Sequence, residues 1–230
     1  MSNENDYAIV TENLDLWYGD FQALEKVSLN LRSGIITGLI GPSGCGKTTF
    51  LNLIAGILQP EQGRIEVDGV ELNSLRPTRS AAFRLSRMGL IFQEFELVEH
   101  LSVGDNILLP LHLGLRNDRA SLESTAKQLA EKMGIERYWS ILPASLSHGE
   151  RQRAAICRAL STSPTLVLAD EPTGNLDSSN KHRTVRLMID SARKNRQALV
   201  VATHDVELLD SFDRVIHFED LNQSREPTCP

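Results

Sequence analysis

Gly41-Pro42-Ser43-Gly44-Cys45-Gly46-Lys47-Thr48 sets four residue types at the spacing G-x-x-x-x-G-K-[ST], which suits one task, the cradling of a chain of phosphates. The glycines let the backbone curl until several N–H groups converge on phosphate oxygens. Lys47 is then placed to reach the outer phosphates, and the Thr48 hydroxyl to bind Mg²⁺. Thr49 follows at the start of a helix whose positive end favours anions. The alternative is a glycine-rich turn with an incidental lysine, and fixed positions of this kind rarely coincide by chance. The implied ligand is a nucleoside triphosphate.

A second candidate for chemistry lies at the end of Thr165-Leu166-Val167-Leu168-Ala169, an apolar strand that runs into Asp170-Glu171. Taken alone, the acidic pair reads equally well as a solvated strand terminus. Behind a complete phosphate loop, Asp170 is expected to hold Mg²⁺ through its water shell. Glu171 is placed to orient and polarise the water that attacks the γ-phosphate. Neighbouring residues of an extended strand point to opposite sides, which would give the two carboxylates separate tasks. The pair points to hydrolysis as well as binding.

These residues need elements to hold them. The opening third reads as β-structure, with strands at Ala8–Leu16, Leu24–Leu31 and Ile35–Ile40 and turns at Gly19-Asp20 and Ser33-Gly34. A helix leaves the phosphate loop over Thr48–Ala55. Short strands are expected at Arg64–Val67 and Gly89–Phe92. From about residue 94 to 160 the pattern turns helical, clearest over Asp118–Met133, as an inserted helical subdomain would read. Strands return at Thr165–Ala169, Ala198–Ala202 and Arg214–Phe218. Strands alternating with helices imply an α/β fold with a mostly parallel sheet covered on both faces. The expected domain spans 8–220, with flexible tails at 1–7 and 221–230.

Composition sets outer limits. The 230 residues are 41% hydrophobic and 23% charged, an ordinary globular balance able to bury a full core. The longest apolar runs are about six residues, against the ~20 needed to span a bilayer. The polar, acidic start at Met1–Asp6 is unlike a secretory signal. Cys45, Cys157 and Cys229 show neither metal spacing nor a paired framework, which suits a reducing cytoplasm. A net charge of −6 argues against nucleic acid as a partner.

Leu146-Ser147-His148-Gly149-Glu150, followed by Arg151-Gln152-Arg153, resembles the signature motif of ATP-binding-cassette (ABC) ATPases, the P-loop NTPases of ABC transporters. The family's remaining marks follow in order, covering the chain from Ala8 to Phe218. The resemblance implies an ABC-type nucleotide-binding domain, an α/β fold with an N-terminal antiparallel β subdomain and an inserted α-helical one. It implies ATP and Mg²⁺ as cofactors. By the same resemblance Tyr18 stacks on adenine, with Trp17 beside it as the alternative. Gln93 contacts Mg²⁺ and water, Asp177 belongs to the dimer loop, and His204 is the switch histidine at the γ-phosphate. Each has a plain competitor: a strand-edge aromatic, a polar strand cap, a surface histidine. Ser147, His148, Gly149 and Glu150 are implied to face ATP held by the opposite subunit. His148 departs from the family's glycine and adds a titratable ring near a charged ligand, so extra pH dependence of activity is expected. Cys45 reads as a small filler in the loop, and His100, His112, His182 and His217 receive no role.

One copy of each motif implies a homodimer that sandwiches two MgATP, with Lys47, Glu171 and His204 as the catalytic set. Lacking membrane spans, the chain would drive separate integral membrane permease subunits from the cytoplasmic face of the membrane. Phe92–Val98 and Leu101–Ile107 form the family's partner-facing region. Ala169–Asp177 and Phe92-Gln93-x-Phe95-x-Leu97 resemble the lipoprotein-releasing, macrolide-exporter and cell-division group. Two alternatives stay open: a cell-division-type ATPase that moves a membrane partner without transport, and a non-membrane cassette acting on ribosomes or DNA.

Overall fold

Residues 7–32 form two long antiparallel strands, β1 (Tyr7–Tyr18) and β2 (Phe21–Arg32). Along β2, Val27, Leu29 and Leu31 are buried while Ser28, Asn30 and Arg32 face solvent, the period of two that one covered face requires. Tyr18 pairs with Phe21, which leaves Gly19-Asp20 as a two-residue turn. After β3 (Ile36–Ile40) and helix α1 (Lys47–Ile54), β4 (Gln62–Val67) joins the free edge of β1 and β5 (Val70–Glu71) joins β4. The result is a four-stranded antiparallel sheet in the order β2-β1-β4-β5. The structure, a computed structural model, describes residues 6–114, 119–174 and 178–223.

Helix α2 (Pro77–Arg87) leads into β6 (Met88–Ile91). Between β6 and the next strand the described residues form helices and no strand: α3 (Val103–Ile107), α4 (Leu109–His112), α5 (Arg119–Lys132) and α6 (His148–Ser161). Then come β7 (Leu166–Asp170), α7 (Ser178–Lys194), β8 (Ala198–Thr203) and β9 (Arg214–His217). The second sheet is all parallel, ordered β6-β7-β8-β3-β9. Its central strands are buried throughout and are continuous apolar runs.

Adjacent residues of these strands feed two cores. Val167, Ala169, Leu199 and Val201 pack with α5, α6 and α7. Leu166, Leu168, Val200 and Ala202 pack with α1 and the antiparallel sheet. Phe50 of α1 is fully buried against Phe218, the ring centroids 5.2 Å apart. Burial of that size is worth about 2–3 kcal/mol per side chain.

Two expectations shift at the ends. Tyr7 already begins β1. The tail expected from 221 starts later, because Asn222 is 7% exposed and hydrogen-bonded to Ala23, Glu25 and Cys45. Helix α2 and the two-residue β5 had no counterpart in the sequence reading. Of α2 only Ser80 is buried, so its apolar signal is too thin to read.

Candidate nucleotide site

Topology assembles the site. β7, β8 and β3 are neighbours in one parallel sheet, so their carboxyl ends open at the same edge. The loop 41–46 follows β3, Glu171 follows β7, and His204 follows β8. Residues more than a hundred positions apart thereby meet, where ligands bind open α/β sheets.

In the loop, Gly46 caps α1 in the left-handed region at φ 100°, and Gly44 stands at φ 86°. A Cβ on Gly46 would lie 2.9 Å from Leu24 and 3.0 Å from the Ala23 carbonyl, so glycine is required on both counts. The first turn of α1 carries no acid, which leaves its positive end available to an anion. Lys47 is 6% exposed, and its ammonium donates to the Gly41 and Pro42 carbonyls at 2.8 Å each, with the Cys45 sulfur at 3.7 Å. These contacts bend the lysine back over the loop, toward the space the glycines enclose.

At the end of β7, Asp170 is 8% exposed and its Oδ1 has no hydrogen-bond partner among the described residues. Burial pushes its carboxyl above the usual range; a hydrogen bond from Thr48 works the other way, the Glu171 charge adds to the rise, and Lys47 opposes it. A buried carboxylate oxygen lacking a donor, beside a threonine hydroxyl, is a donor set suited to a hard cation such as Mg²⁺.

Glu171 lies one residue past the strand, at φ 44°. That turn removes it from the strand's alternation, so both carboxylates line one cleft instead of opposite sides. The division of labour between them therefore comes from their partners. Glu171 donates its backbone N–H to the Ala202 carbonyl at 2.9 Å. Its carboxylate accepts from the Thr203 hydroxyl at 3.2 Å and the His204 backbone N–H at 3.1 Å, and meets the His204 Nδ1 at 2.9 Å. Thr203 is fully buried and accepts in turn the Asp205 N–H at 3.1 Å. Nothing in the spacing of the sequence marks Thr203 for this task.

The cleft of about 260 Å³ is walled by Tyr18, Phe21 and Ala23 of the β1–β2 hairpin, by Ser43, Gly44 and Gly46 of the loop with Lys47, Thr48 and Thr49 of α1, and by Gln93, Asp170 and Glu171. Tyr18 lines it with 51% of its surface open, while Trp17 is not among the lining residues. Phe21 is an aromatic wall that the sequence reading did not single out.

The segment 147–150 stands elsewhere. Ser147 caps α6 and forms a capping box with Glu150: the Ser147 N–H donates to the Glu150 carboxylate at 2.9 Å, and the Glu150 N–H to the Ser147 Oγ at 3.4 Å. A hydrogen bond from Tyr138 holds the Glu150 carboxyl below its ordinary range against the opposing effect of burial, with Ser147 helping. His148 and Gly149 form the first turn, and the His148 ring lies 5.9 Å from that of Phe95. None of Ser147, His148, Gly149 and Glu150 lines the cleft.

Arg158 of α6 donates to the carbonyls of Phe95, at 2.8 Å, and Glu96, two residues that both adopt positive φ. It anchors the segment after Gln93 to the signature helix, a role sequence patterning did not reveal. Asp177 lies outside the described residues.

A larger groove of about 820 Å³ runs between α2, β6, α4 and α6, with Phe92, Leu109 and Leu113 among its apolar walls. Phe92 and Glu96 belong to the segment expected to face a partner, but Val103 and Ile107 are buried in the core instead. The second wall is supplied by α2 and α4.

Comparisons with known proteins bear on this geometry. A family model described as ABC transporter matches residues 24–174. The lipoprotein-releasing system ATP-binding protein LolD of Bacteroides fragilis (strain YCH46) is 34% identical over 212 residues, covering 92% of this chain and 97% of that protein. The macrolide export ATP-binding/permease protein MacB of Rhodopirellula baltica is 38% identical over 202 residues, 87% of this chain but 30% of that protein. Among solved structures, dimeric MJ0796, described as a bacterial ABC transporter cassette, superposes with a TM-score of 0.85 at 32% identity, covering 91% of this chain and 93% of that one. A post-hydrolysis dimer of MJ0796 bound to ADP and Pi gives 0.84 at 30% identity, with the same coverage.

Proposed function

Because this chain belongs to the ABC transporter family and is one of its ATP-binding, ATP-hydrolysing subunits, of the LolD and MacB type, we propose that two copies of it close on two MgATP and drive a separate membrane permease. One observation carries the reading. The cleft gathers Lys47, Thr48, Asp170 and Glu171, while Ser147–Gly149 sit outside it on an exposed helix start. A second copy is needed to bring the two halves together, and the MJ0796 cassette is itself dimeric.

Tyr18 stacks on the base, Trp17 not being among the residues that line the cleft. Residues 41–49 wrap the phosphates, with Lys47 matching their charge. Glu171 accepts a proton from the attacking water, held in line for that by Thr203 and by His204, whose exposed ring also reaches the γ-phosphate. Thr48, Gln93 and Asp170 would hold Mg²⁺, which when bound neutralises charge on the transferring phosphoryl group. Ser147, His148, Gly149 and Glu150 face the nucleotide of the other copy, and Asp177, outside the described residues, is assigned to the dimer loop from its motif alone. The domain comprises residues 7–222, with the helical insertion at about 94–160.

No helix among the described residues is long and apolar enough to cross a membrane. We read the permease as a separate partner docked from the cytoplasmic face, a reading supported by the likeness over 97% of its length to LolD, an ATP-binding protein of a lipoprotein-releasing system. The groove beside Phe92 suits a short amphipathic helix of that partner. Leu113 at its rim is 63% exposed, an apolar surface for which such docking accounts.

The test is steady-state ATPase activity of wild type and Glu171→Gln, each with and without a co-purifying integral membrane protein. Turnover that rises with the membrane protein and disappears in the variant is expected. Turnover that responds to ribosomes or nucleic acid and ignores membrane proteins would overturn the permease reading.

A further inference from the structure

The phosphate loop is gripped from outside by a residue that belongs to no motif. Asn222 follows the 3-10 turn Phe218–Asp220 that closes β9, and its own N–H donates to the Phe218 carbonyl at 2.9 Å. Phe218 is fully buried and packed on Phe50 of α1, so Asn222 reaches the loop on a well-anchored segment. Its amide then spans three backbone positions. Nδ2 donates to the Ala23 carbonyl at 2.9 Å and to the Cys45 carbonyl at 3.0 Å, while Oδ1 accepts the Glu25 N–H at 2.9 Å. Cys45 immediately precedes the helix cap Gly46, and Ala23 is in the cleft wall contributed by the hairpin.

We propose that Asn222 is a positioning residue for the nucleotide. It fixes the Cys45–Gly46 peptide so that the loop keeps its curl, and it sets the gap between the phosphate loop and the hairpin that carries Tyr18 and Phe21. The inference rests on the reading of residues 41–48 as the phosphate cradle. The effect belongs to binding and not to hydrolysis, because the water-orienting Glu171 is held by a separate set, Thr203 and His204.

Asn222→Ala removes all three side-chain contacts, one buried and two part-buried, to the backbone of Ala23, Cys45 and Glu25. Asn222→Asp keeps the acceptor for Glu25 but turns a carboxylate oxygen toward two carbonyls and puts a negative charge beside the phosphate loop. In the full-length chain, trinitrophenyl-ATP titration, kcat and KM for MgATP, and the melting temperature would be measured together. Asn222→Ala is expected to weaken nucleotide binding and raise KM about tenfold with kcat at saturation within about twofold, and Asn222→Asp to weaken binding further.

A role in stability alone gives a different pattern: apparent kcat falls with the folded fraction while KM and nucleotide affinity hold. That pattern, or wild-type values throughout, overturns the proposal. Should both variants fail to fold, Asn222→Gln keeps the amide but displaces it by one methylene, and the same KM shift is required of it. Lys47→Ala separates the two levels. If Lys47→Ala binds nucleotide like wild type, the cradle reading falls and this inference with it. If Lys47→Ala loses binding and Asn222→Ala does not, this inference alone falls.

Discussion

Glu171 concentrates the residue-scale argument. A non-glycine residue at φ 44° costs roughly 1–3 kcal/mol unless its surroundings hold it there, and such strain gathers at functional sites. Here the backbone N–H bonded to Ala202 and three contacts to the carboxylate do the holding. Glutamine keeps the shape and removes the base. Glu171→Gln should therefore fold normally and lose turnover by roughly 10²-fold or more, read as phosphate release under saturating MgATP. Thr203→Val tests the support beneath it. Its hydroxyl is fully buried between the Asp205 N–H and Glu171, so the valine variant should lower kcat and leave KM for ATP near the wild-type value. A rise in KM with kcat unchanged would move Thr203 from positioning to binding.

At the scale of elements, the site depends on how strand ends and helix starts are pinned. Gly46 shows the backbone limit: an alanine there meets both a forbidden φ and the Ala23 carbonyl. Gly46→Ala should remove detectable nucleotide binding while the melting curve shows a folded protein. A second pin joins α7 to the turn after β8. The Lys181 ammonium pairs with Asp205 and, at 3.1 Å, with Glu207. Burial acts to raise the Asp205 carboxyl, yet Lys181 and the Glu207 N–H bring it below its ordinary range. Asp205 is next to His204, so this tether steadies the segment that clamps Glu171. Lys181→Ala should lower kcat by about two- to fivefold, with Lys181→Arg restoring most of it; a pair that is neither fully buried nor part of the cleft carries a modest energy.

For the whole molecule, Ser147–Gly149 lie apart from the cleft, so in the proposed dimer it is closure of the two copies that would complete the chemistry. Blocking hydrolysis should lengthen the life of the closed pair. Glu171→Gln with MgATP is expected to sediment as a dimer and, with MgADP, as a monomer. A monomer under both conditions would contradict the sandwich. The groove beside Phe92 makes a different claim, about the partner. Leu113→Asp should reduce co-purification of the membrane protein and leave ATPase activity of the isolated chain unchanged, since Leu113 has no contact with the cleft.

The one-dimensional pattern was enough for every strand of the parallel sheet, most plainly for β3, β7 and β8, which are apolar runs, and it singled out Lys47, Asp170 and Glu171, which the fold gathers in one cleft. The loop 41–46 and the helix it feeds are legible because they are local, lying within one short stretch. Helix α2 escaped the sequence reading since only Ser80 of it is buried, leaving no apolar stripe to follow. Tertiary structure alone decided the rest. Strand order β7-β8-β3 brings Thr203 and His204 onto Glu171 across more than thirty residues, and chain reversal after β9 sets Asn222 against Cys45. Arg158, Thr203, Lys181 and Asn222 act by hydrogen bonds and ion pairs to groups distant in sequence. Such contacts leave no period or spacing along the chain, since the partner's position is set by packing of the sheet and not by the neighbours on either side.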